Sequence, residues 1–210
     1  MGNANIFLGY VHPGFVRGEF PLQVANMLLQ PENRITAVFA GSSPSNARAR
    51  NSVIAAFLSG NEEWLLWMDD DATVLPDAPH KLRRHAVAYE AKMAASLAVG
   101  YDKTKRDVFL GAWNFDGKGW TPLQKLSMEP QWVDGVGCHF TLVHRDVYLT
   151  MKPPYHLDFD PHPLTGEGMG HDLAFCLKRL PARVLVVPAV RTGHIKEWEI
   201  TLKEWESAQS

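Results

Sequence analysis

Three consecutive carboxylates, Asp69, Asp70 and Asp71, follow an apolar run, EWLLWM, in the first half of the chain. Like charges about 4 Å apart repel by roughly 1 kcal/mol in water and about 4 kcal/mol at a protein surface, so a cation or hydrogen-bond donors must offset them. A capped turn would explain any one Asp here. In extended geometry, however, Asp69 and Asp71 point to the same side of the chain. Two carboxylates on one side suit a hard cation such as Mg²⁺ or Mn²⁺, so the sequence predicts metal or phosphate chemistry.

The segment before the carboxylates is typical of a central parallel strand, because it is apolar throughout and helical patterns lie on both sides of it. Alternating apolar runs and helical periodicity predict the elements around it. These are strands at 5–11 and 34–40, a helix at 18–29, a helix that opens with Ser45 as N-cap, and a helix introduced by Pro76 and Pro79. Open α/β sheets bind ligands at the carboxyl ends of such strands, where the acidic cluster is expected.

Beyond residue 93 the pattern changes to strand-like runs with few helices, which predicts a mixed or antiparallel second half. The runs lie at 93–99, 107–115, 119–126 and 136–144, and a short helix at 171–180, a closing strand at 183–188 and a polar terminal helix follow. Residues 152–170 are dense in Pro, Gly and His, and their length favours a functional loop or lid.

The composition limits the partners. The chain has 210 residues, 46% of them hydrophobic, enough for one compact core, and its net charge of -2 makes no general case for nucleic acid or an anionic membrane. Two basic runs, at 80–85 and 102–106, have a simple interpretation as a solvated helix face and a turn. The two cysteines suggest neither a thiolate zinc site nor a disulfide framework. Neither a signal peptide nor a membrane span is expected, so we expect a cytoplasmic protein.

An apolar strand ending in Asp-x-Asp, after a helix that carries Ala49-Arg50-Asn51, resembles the nucleotide-sugar half of a GT-A glycosyltransferase, especially of the family-two-like enzymes. Further segments with the family's character follow in its order, namely WVDGVGCHFTLVHRDVY (132–148), GEGMGHDLAFC (166–176) and RTGHIK (191–196). The resemblance implies an α/β fold: a single GT-A-like (Rossmann-like) domain with a mixed central sheet, a parallel N-terminal half and helices on both faces. It also implies a nucleotide-sugar half at about 1–100, an acceptor and catalytic half at about 101–197, and a C-terminal helix at 198–210.

The resemblance also implies roles for individual residues. A Mn²⁺ or Mg²⁺ ion beside the phosphates of a nucleotide-sugar donor would stabilise the departing nucleoside diphosphate. Asp71 and His194 would be its protein ligands, and Asp69 would contact the ribose or reach the ion through water. Asp172 would be the general base of an inverting reaction. The implied donor-binding residues are Tyr10, His12, Arg50, Asn51, Asp70, Asp134, Gly135 and Gly137, and the acceptor-binding residues are Trp132 and His171.

Two segments depart from the family's pattern. The first strand reads GYVHPG where the family has Pro-x-Tyr-Asn, and His171-Asp172 stands where the family usually carries Glu-Asp. Structural interpretations also stay open, because Asp172 opens a helix, His194 lies in a turn, and Gly135 and Gly137 suit a bulge.

The expected activity is therefore metal-dependent transfer of a sugar from a nucleoside-diphosphate sugar to an acceptor hydroxyl, on a glycan or on a modified DNA base. One alternative is a haloacid-dehalogenase-like phosphatase that uses Asp69 as nucleophile and Asp71 as acid and base. That motif normally ends the first strand of its domain, whereas two strand and helix units precede it here. The other alternative is a binding module that holds a nucleotide or glycan without turnover.

Overall fold

The structure is a computed structural model that describes residues 4–12, 14, 16, 18–102, 107–125, 127–157, 160–161, 168–169, 171–179 and 182–194. The predicted terminal helix, and most of the part of the predicted loop that follows residue 157, lie outside these ranges. The longest described helix has 14 residues, whereas about 20 are needed to cross a bilayer, and no described helix could do so.

The described helices are α1 (Glu19–Leu28), α2 (Asn46–Ser59), α3 (Ala78–Ala88), α4 (Arg145–Leu149) and α5 (His171–Arg179), with a 3-10 turn at Pro31–Asn33. The described strands are β1 (Ile6–His12), β2 (Ile35–Ser42), β3 (Trp64–Met68), β4 (Ala72–Thr73), β5 (Met93–Leu97), β6 (Val99–Asp102), β7 (Asp107–Leu110), β8 (Ala112–Phe115), β9 (Trp120–Pro122), β10 (Gln131–Val133), β11 (Gly135–Val136), β12 (Phe140–His144), β13 (Asp160–Pro161), β14 (Gly168–Met169), β15 (Val184–Arg191) and β16 (Gly193–His194).

The central sheet has seven strands in the order β10-β15-β5-β12-β3-β1-β2. Strands β1, β2 and β3 run parallel, as do β5 and β15. Strand β12 runs antiparallel between β3 and β5, and β10 runs antiparallel at one edge. This arrangement confirms the predicted mixed sheet with a parallel N-terminal half.

Strand β3 shows why its sequence is apolar throughout, since both of its faces are buried. Leu65 and Trp67 pack into a core with Phe57 of α2, while Leu66 packs into a second core with Leu82 of α3. Burying one such side chain stabilises the fold by about 1.5–3 kcal/mol. The helices therefore cover both faces of the sheet, as predicted.

Helix α2 packs closely against strand β2. Its N-cap is Ser45, whose Oγ accepts a hydrogen bond from the Arg48 amide at 3.1 Å, as the sequence predicts. A Cβ at Gly41 of β2 would lie 2.5 Å from the carbonyl oxygen of Ala49, so only glycine allows this approach. The contact sets the next residue of α2, Arg50, near the carboxyl end of β3.

Some sequence predictions differ from the structure. The run predicted as one strand at 107–115 is divided between β7 and β8, and only Trp120–Pro122 of the run at 119–126 is a strand. The basic run at 80–85 lies on α3, but its Arg83 is only 9% exposed, so a wholly solvated face was the wrong interpretation. The run at 102–106 lies almost wholly outside the described residues.

Candidate metal centre and adjoining cleft

The acidic cluster lies at the carboxyl end of β3, where the neighbouring antiparallel strand β12 begins. The amide of Asp69 donates to the carbonyl oxygen of His139 at 2.9 Å, which continues the pairing of these two strands by one residue. This pairing brings the side chain of His139 to the acidic cluster from a position 70 residues along the chain.

The chain turns at the cluster instead of remaining extended. The Ala72 amide donates to the Asp69 carbonyl oxygen at 3.0 Å, which closes a four-residue turn. The premise of an extended Asp69–Asp71 segment was therefore wrong. The turn still brings the two side chains together, because Asp69 Oδ2 and Asp71 Oδ1 lie 3.7 and 3.8 Å from the same atom, His139 Nδ1.

Asp69, Asp71 and His139 each offer one ligand atom, and these atoms all lie within 4.8 Å of one another. The imidazole Nε2 of His139 lies 3.1 Å from the Gly193 carbonyl oxygen. A carbonyl only accepts, so Nε2 carries a hydrogen, and the other ring nitrogen, Nδ1, faces the two carboxylates. A positive charge between Nδ1 and the two carboxylates, whether a proton on the ring or a metal ion, stabilises this arrangement, and the mixed oxygen and nitrogen donor set fits a divalent cation such as Mn²⁺ or Mg²⁺.

Arg50 of α2 joins the cluster to a third carboxylate. Its side chain is buried, with Nη2 at 3.3 Å from Asp69 Oδ1 and 3.7 Å from Asp172 Oδ1, and its guanidinium lies 5.0 Å from the centre of the Trp67 ring. Burial alone would lower the pKa of Arg50, but Asp172 and Asp69 more than offset this effect and raise it. Arg50 therefore stays charged and holds both carboxylates in place.

The pKa of Asp69 responds to the same groups. Burial raises it, but the neighbouring His139 ring and the charge of Arg50 outweigh burial and hold the pKa below its usual value. Asp69 is therefore ionised at neutral pH, as a metal ligand or an ion-pair partner must be.

Asp172 lies in the first turn of α5, and its carboxylate forms a hydrogen bond with another part of the chain. Its Oδ2 accepts from the Cys138 amide at 3.0 Å. The Cys138 amide and Arg50 together hold the carboxylate beside the cleft. The contacts of Asp172 therefore extend beyond its own helix, which a capping role alone would not require.

A cleft of about 400 Å³ opens beside these groups, a volume within the range of small-molecule sites. Its lining combines the acidic cluster, Arg50 and Asp172 with residues from the ends of β1 and β2 and the start of α2. Those residues are Val11, His12, Ser43, Pro44, Asn46 and Ala49. The predicted donor-binding residues His12, Arg50 and Asp70 therefore lie in one cleft with Asp69, Asp71 and Asp172.

Other predicted donor-binding residues have different contacts. Tyr10 packs against Phe20, with ring centroids 4.8 Å apart. Asn51 binds the backbone of residues 155 and 156 through both ends of its amide, at 2.8 to 3.1 Å. Asp134 accepts from Arg183 Nε at 3.1 Å. These three side chains therefore make contacts to other parts of the chain.

The two predicted glycines after Asp134, Gly135 and Gly137, differ from each other in the space around them. A Cβ at Gly135 would lie 2.7 Å from the Trp120 ring, so this glycine makes room for packing. A Cβ at Gly137 would lie 3.8 Å from Asp172 Oδ2, an ordinary contact distance beside the cleft.

For the remaining predicted residues, the structure describes mainly the backbone. His194 pairs with Ala72 in the β4–β16 ladder, so its backbone runs beside the turn that carries Asp71. His171 begins α5, next to Asp172. Trp132 lies on the edge strand β10 with its residue surface 38% exposed, and its carbonyl accepts from Arg183.

His139 is the site residue that the sequence reasoning missed. It belongs to the quoted segment at 132–148 and lies within the strand predicted at 136–144, so its type and position were the available signal. Its contact with the acidic cluster depends on which strand pairs with β3, and the linear sequence does not contain that information.

Comparison with known proteins gives evidence of fold. No protein-family model matches the chain, and no curated protein matches its sequence. A solved structure described as A197 from STIV matches with a TM-score of 0.63 at 18% identity, over 92% of this chain and 86% of that one. A structure of GalNAc-T7 with UDP, GalNAc and Mn²⁺ matches with a TM-score of 0.56 at 15% identity.

The GalNAc-T7 match covers 93% of this chain but 44% of that chain, so this protein spans less than half of its length. At these identities the likeness defines the fold alone. The protein is a mixed α/β protein with a GT-A-like fold, and it carries a candidate Asp-Asp-His metal site at the carboxyl end of its third strand.

Proposed function

We propose that this protein is a metal-dependent glycosyltransferase that uses a nucleotide-sugar donor. The observation that carries the proposal is the convergence of Asp69, Asp71 and His139 within 4.8 Å, beside a cleft on a GT-A-like fold. The GalNAc-T7 structure, with UDP, GalNAc and Mn²⁺, supports the same combination of ligands in this fold.

In this proposal Asp69, Asp71 and His139 hold Mn²⁺ or Mg²⁺. When bound, the ion supplies Lewis-acid stabilisation of the negative charge that develops on the departing nucleoside diphosphate. Asp69 thus becomes a direct ligand, and His139 joins the predicted set. His194 remains a proposed additional ligand, since its backbone lies beside Ala72.

Arg50 acts on the carboxylates. Its guanidinium is buried against Trp67, and its Nη2 lies between Asp69 and Asp172, so it keeps the metal ligand and the proposed base ionised and at a fixed separation. These contacts favour pairing of Arg50 with the acidic cluster over direct contact of Arg50 with the diphosphate.

Asp172 is the proposed general base for an inverting reaction. The acceptor oxygen forms a bond to the anomeric carbon, the bond from that carbon to the diphosphate oxygen breaks, and the acceptor proton passes to Asp172. The Cys138 amide and Arg50 orient the carboxylate for this step and favour its ionised form.

The donor would lie in the 400 Å³ cleft, where His12, Ser43 and Asn46 offer polar contacts beyond the acidic cluster. We propose the N-terminal part, to about residue 100, as the donor half, and residues 101–197 as the acceptor half. The acceptor is proposed to be a glycan hydroxyl, with Trp132 and His171 on that side, and a modified DNA base is the alternative. The proposed setting is the cytoplasm.

The test is to incubate the protein with UDP-, GDP- and other nucleotide-sugars, with Mn²⁺ or with EDTA, and to measure release of the nucleoside diphosphate. We expect one donor to be turned over only with metal, and Asp71→Asn to abolish turnover. If no donor is bound or hydrolysed, the transferase proposal is wrong. Metal-dependent donor binding without turnover would indicate a binding module, and a phosphoryl group on Asp69 after incubation with a phosphate ester would indicate the phosphatase.

A further inference from the structure

A second cavity, of about 640 Å³, lies at the opposite end of β3 from the metal centre. It is bounded by Ala4 before β1, Glu63 before β3, and the last turns of α3. Glu63 and Asp69 flank the five residues of β3, which places the two sites about 20 Å apart at the usual rise per strand residue. The cavity is therefore separate from the proposed active site.

A buried cation without a carboxylate partner lines this cavity. Arg83 of α3 is 9% exposed, and its hydrogen bonds go to two backbone carbonyl oxygens, of Ala4 at 2.6 Å and of Glu32 at 3.0 Å. No carboxylate pairs with it anywhere in the described ranges. Buried arginines are normally paired, because an isolated charge is costly to remove from water.

The surrounding residues add to the positive charge. Arg34 and Arg84 also line the cavity, and the one carboxylate there, Glu63, is bound by His144 Nε2 at 3.1 Å. Burial and repulsion from Arg34 lower the pKa of Arg83, which Glu63 only partly offsets. Among the described residues that line the cavity, guanidinium groups therefore outnumber carboxylates, which suits an anion.

We propose that this cavity binds the phosphate group of a small phosphorylated molecule, with Arg34 and Arg84 at its mouth and Arg83 in its wall. Planar guanidinium groups bind tetrahedral oxyanions through paired hydrogen bonds, and a phosphate carries close to two negative charges at neutral pH. Ala4, Val87 and Ala88 provide an apolar wall for the carbon part of such a ligand. This site goes beyond the proposed transferase activity, and its existence does not depend on that activity.

The test is a titration with inorganic phosphate and with glycerol 3-phosphate, in EDTA and at constant ionic strength set with NaCl. Binding is followed by thermal stability and by amide chemical shifts of residues 84–88. We expect saturable binding to the unmodified protein, with shifts at the end of α3. Tighter binding of the ester would identify an organic phosphate as the ligand type, and equal binding would identify free phosphate.

Four variants locate the site. Arg84→Gln changes an exposed helix residue and should weaken binding at least tenfold, and Arg34→Gln together with Arg84→Gln should abolish it. The matched control is Lys81→Gln, which removes an equal charge from the same helix at a residue paired with Asp77 at 2.7 Å. Asp71→Ala should bind phosphate as the unmodified protein does, which separates this site from the metal centre.

Three outcomes would overturn the proposal. The first is a thermal response of the unmodified protein to phosphate no larger than that to NaCl. The second is undiminished binding by the Arg34→Gln, Arg84→Gln double variant, provided that its melting temperature without ligand shows a folded protein. The third is an equal loss of binding in Lys81→Gln, which would show general attraction to a basic surface.

Discussion

Asp69 and His139 are in contact through both backbone and side chain. The Asp69 amide donates a hydrogen bond to the His139 carbonyl oxygen at 2.9 Å, and Asp69 Oδ2 lies 3.7 Å from His139 Nδ1. The backbone contact sets the register of β3 and β12, and the side-chain contact follows from that register. The candidate metal centre thus lies directly at the end of the main sheet, and rigid elements of this kind hold ligands more precisely than free loops do.

Replacing Asp71 with Ala should remove metal binding while leaving the fold intact, because Asp71 lies in a partly exposed turn outside the core. We expect Mn²⁺ affinity to fall by at least about 10–100-fold, the loss typical even of residues that only support a ligand. Manganese electron paramagnetic resonance measures the affinity, and circular dichroism checks the fold. Asp77→Ala, an equal change of charge in another turn, is the control, and unchanged Mn²⁺ affinity in Asp71→Ala would contradict the proposed centre.

His139→Ala tests the ligand that the sequence reasoning missed. We expect a loss of Mn²⁺ affinity at least as large as that of His194→Ala, because Nδ1 of His139 already faces both carboxylates. The change also leaves the Gly193 carbonyl without its imidazole donor, at a cost of about 1–3 kcal/mol in the free energy of unfolding. The two effects are separated by measuring metal affinity well below the melting temperature, and a stability loss without a change in affinity would assign His139 a structural role only.

Asp172→Asn should separate catalysis from structure. The amide oxygen of Asn can still accept from the Cys138 amide at the observed 3.0 Å, so we expect a folded protein that binds metal and donor. It cannot take up a proton, so transfer to an acceptor should fall by about 10²–10⁴-fold. Single-turnover assays with saturating donor measure the effect, and transfer at the unmodified rate would exclude Asp172 as the base.

Gly41→Ala should destabilise the fold through the contact of β2 with α2. The added Cβ would lie 2.5 Å from the Ala49 carbonyl oxygen and 2.9 Å from Val53, and a helix backbone cannot give way easily. We expect a loss of about 1–3 kcal/mol in the free energy of unfolding, measured by urea denaturation. Gly18→Ala is the matched control, since a Cβ there meets no atom within 4 Å, and equal losses in both variants would refute the packing explanation.

The two cysteines should resist alkylation in the folded protein. Burial raises the pKa of Cys176 to about 12, and burial together with the Asp172 charge raises the pKa of Cys138 well above its usual value. At pH 8 a thiol of pKa 12 is ionised in roughly one molecule in ten thousand, and only the thiolate reacts. Iodoacetamide labelling followed by mass spectrometry should therefore be slow at pH 8, rise with pH, and become fast in urea; rapid labelling of the folded protein would show that these sites are open.

Much of the first half of the chain could be predicted from the sequence because its signals are local. The apolar run of β3, the Ser45 N-cap and the helical periodicity of α2 depend on residues a few positions apart, and the structure confirms each of them. The position of the acidic cluster at the end of a central strand follows from the same signals. The second half was less predictable, since its short strands pair in several small sheets.

The sequence by itself determined the element types of the N-terminal half and the presence of Asp69 and Asp71 after a buried strand. Apolar periodicity and capping residues depend on amino acids only a few positions apart, so they can be identified in the sequence. Only the tertiary structure decided that β12 inserts antiparallel beside β3 and brings His139 to those carboxylates. The tertiary structure also decided that Arg50 and Arg83 are buried, although each lies on a helix that could have been solvated. Strand pairing and helix docking depend on surfaces formed by distant segments, so they are settled only when the whole chain packs together.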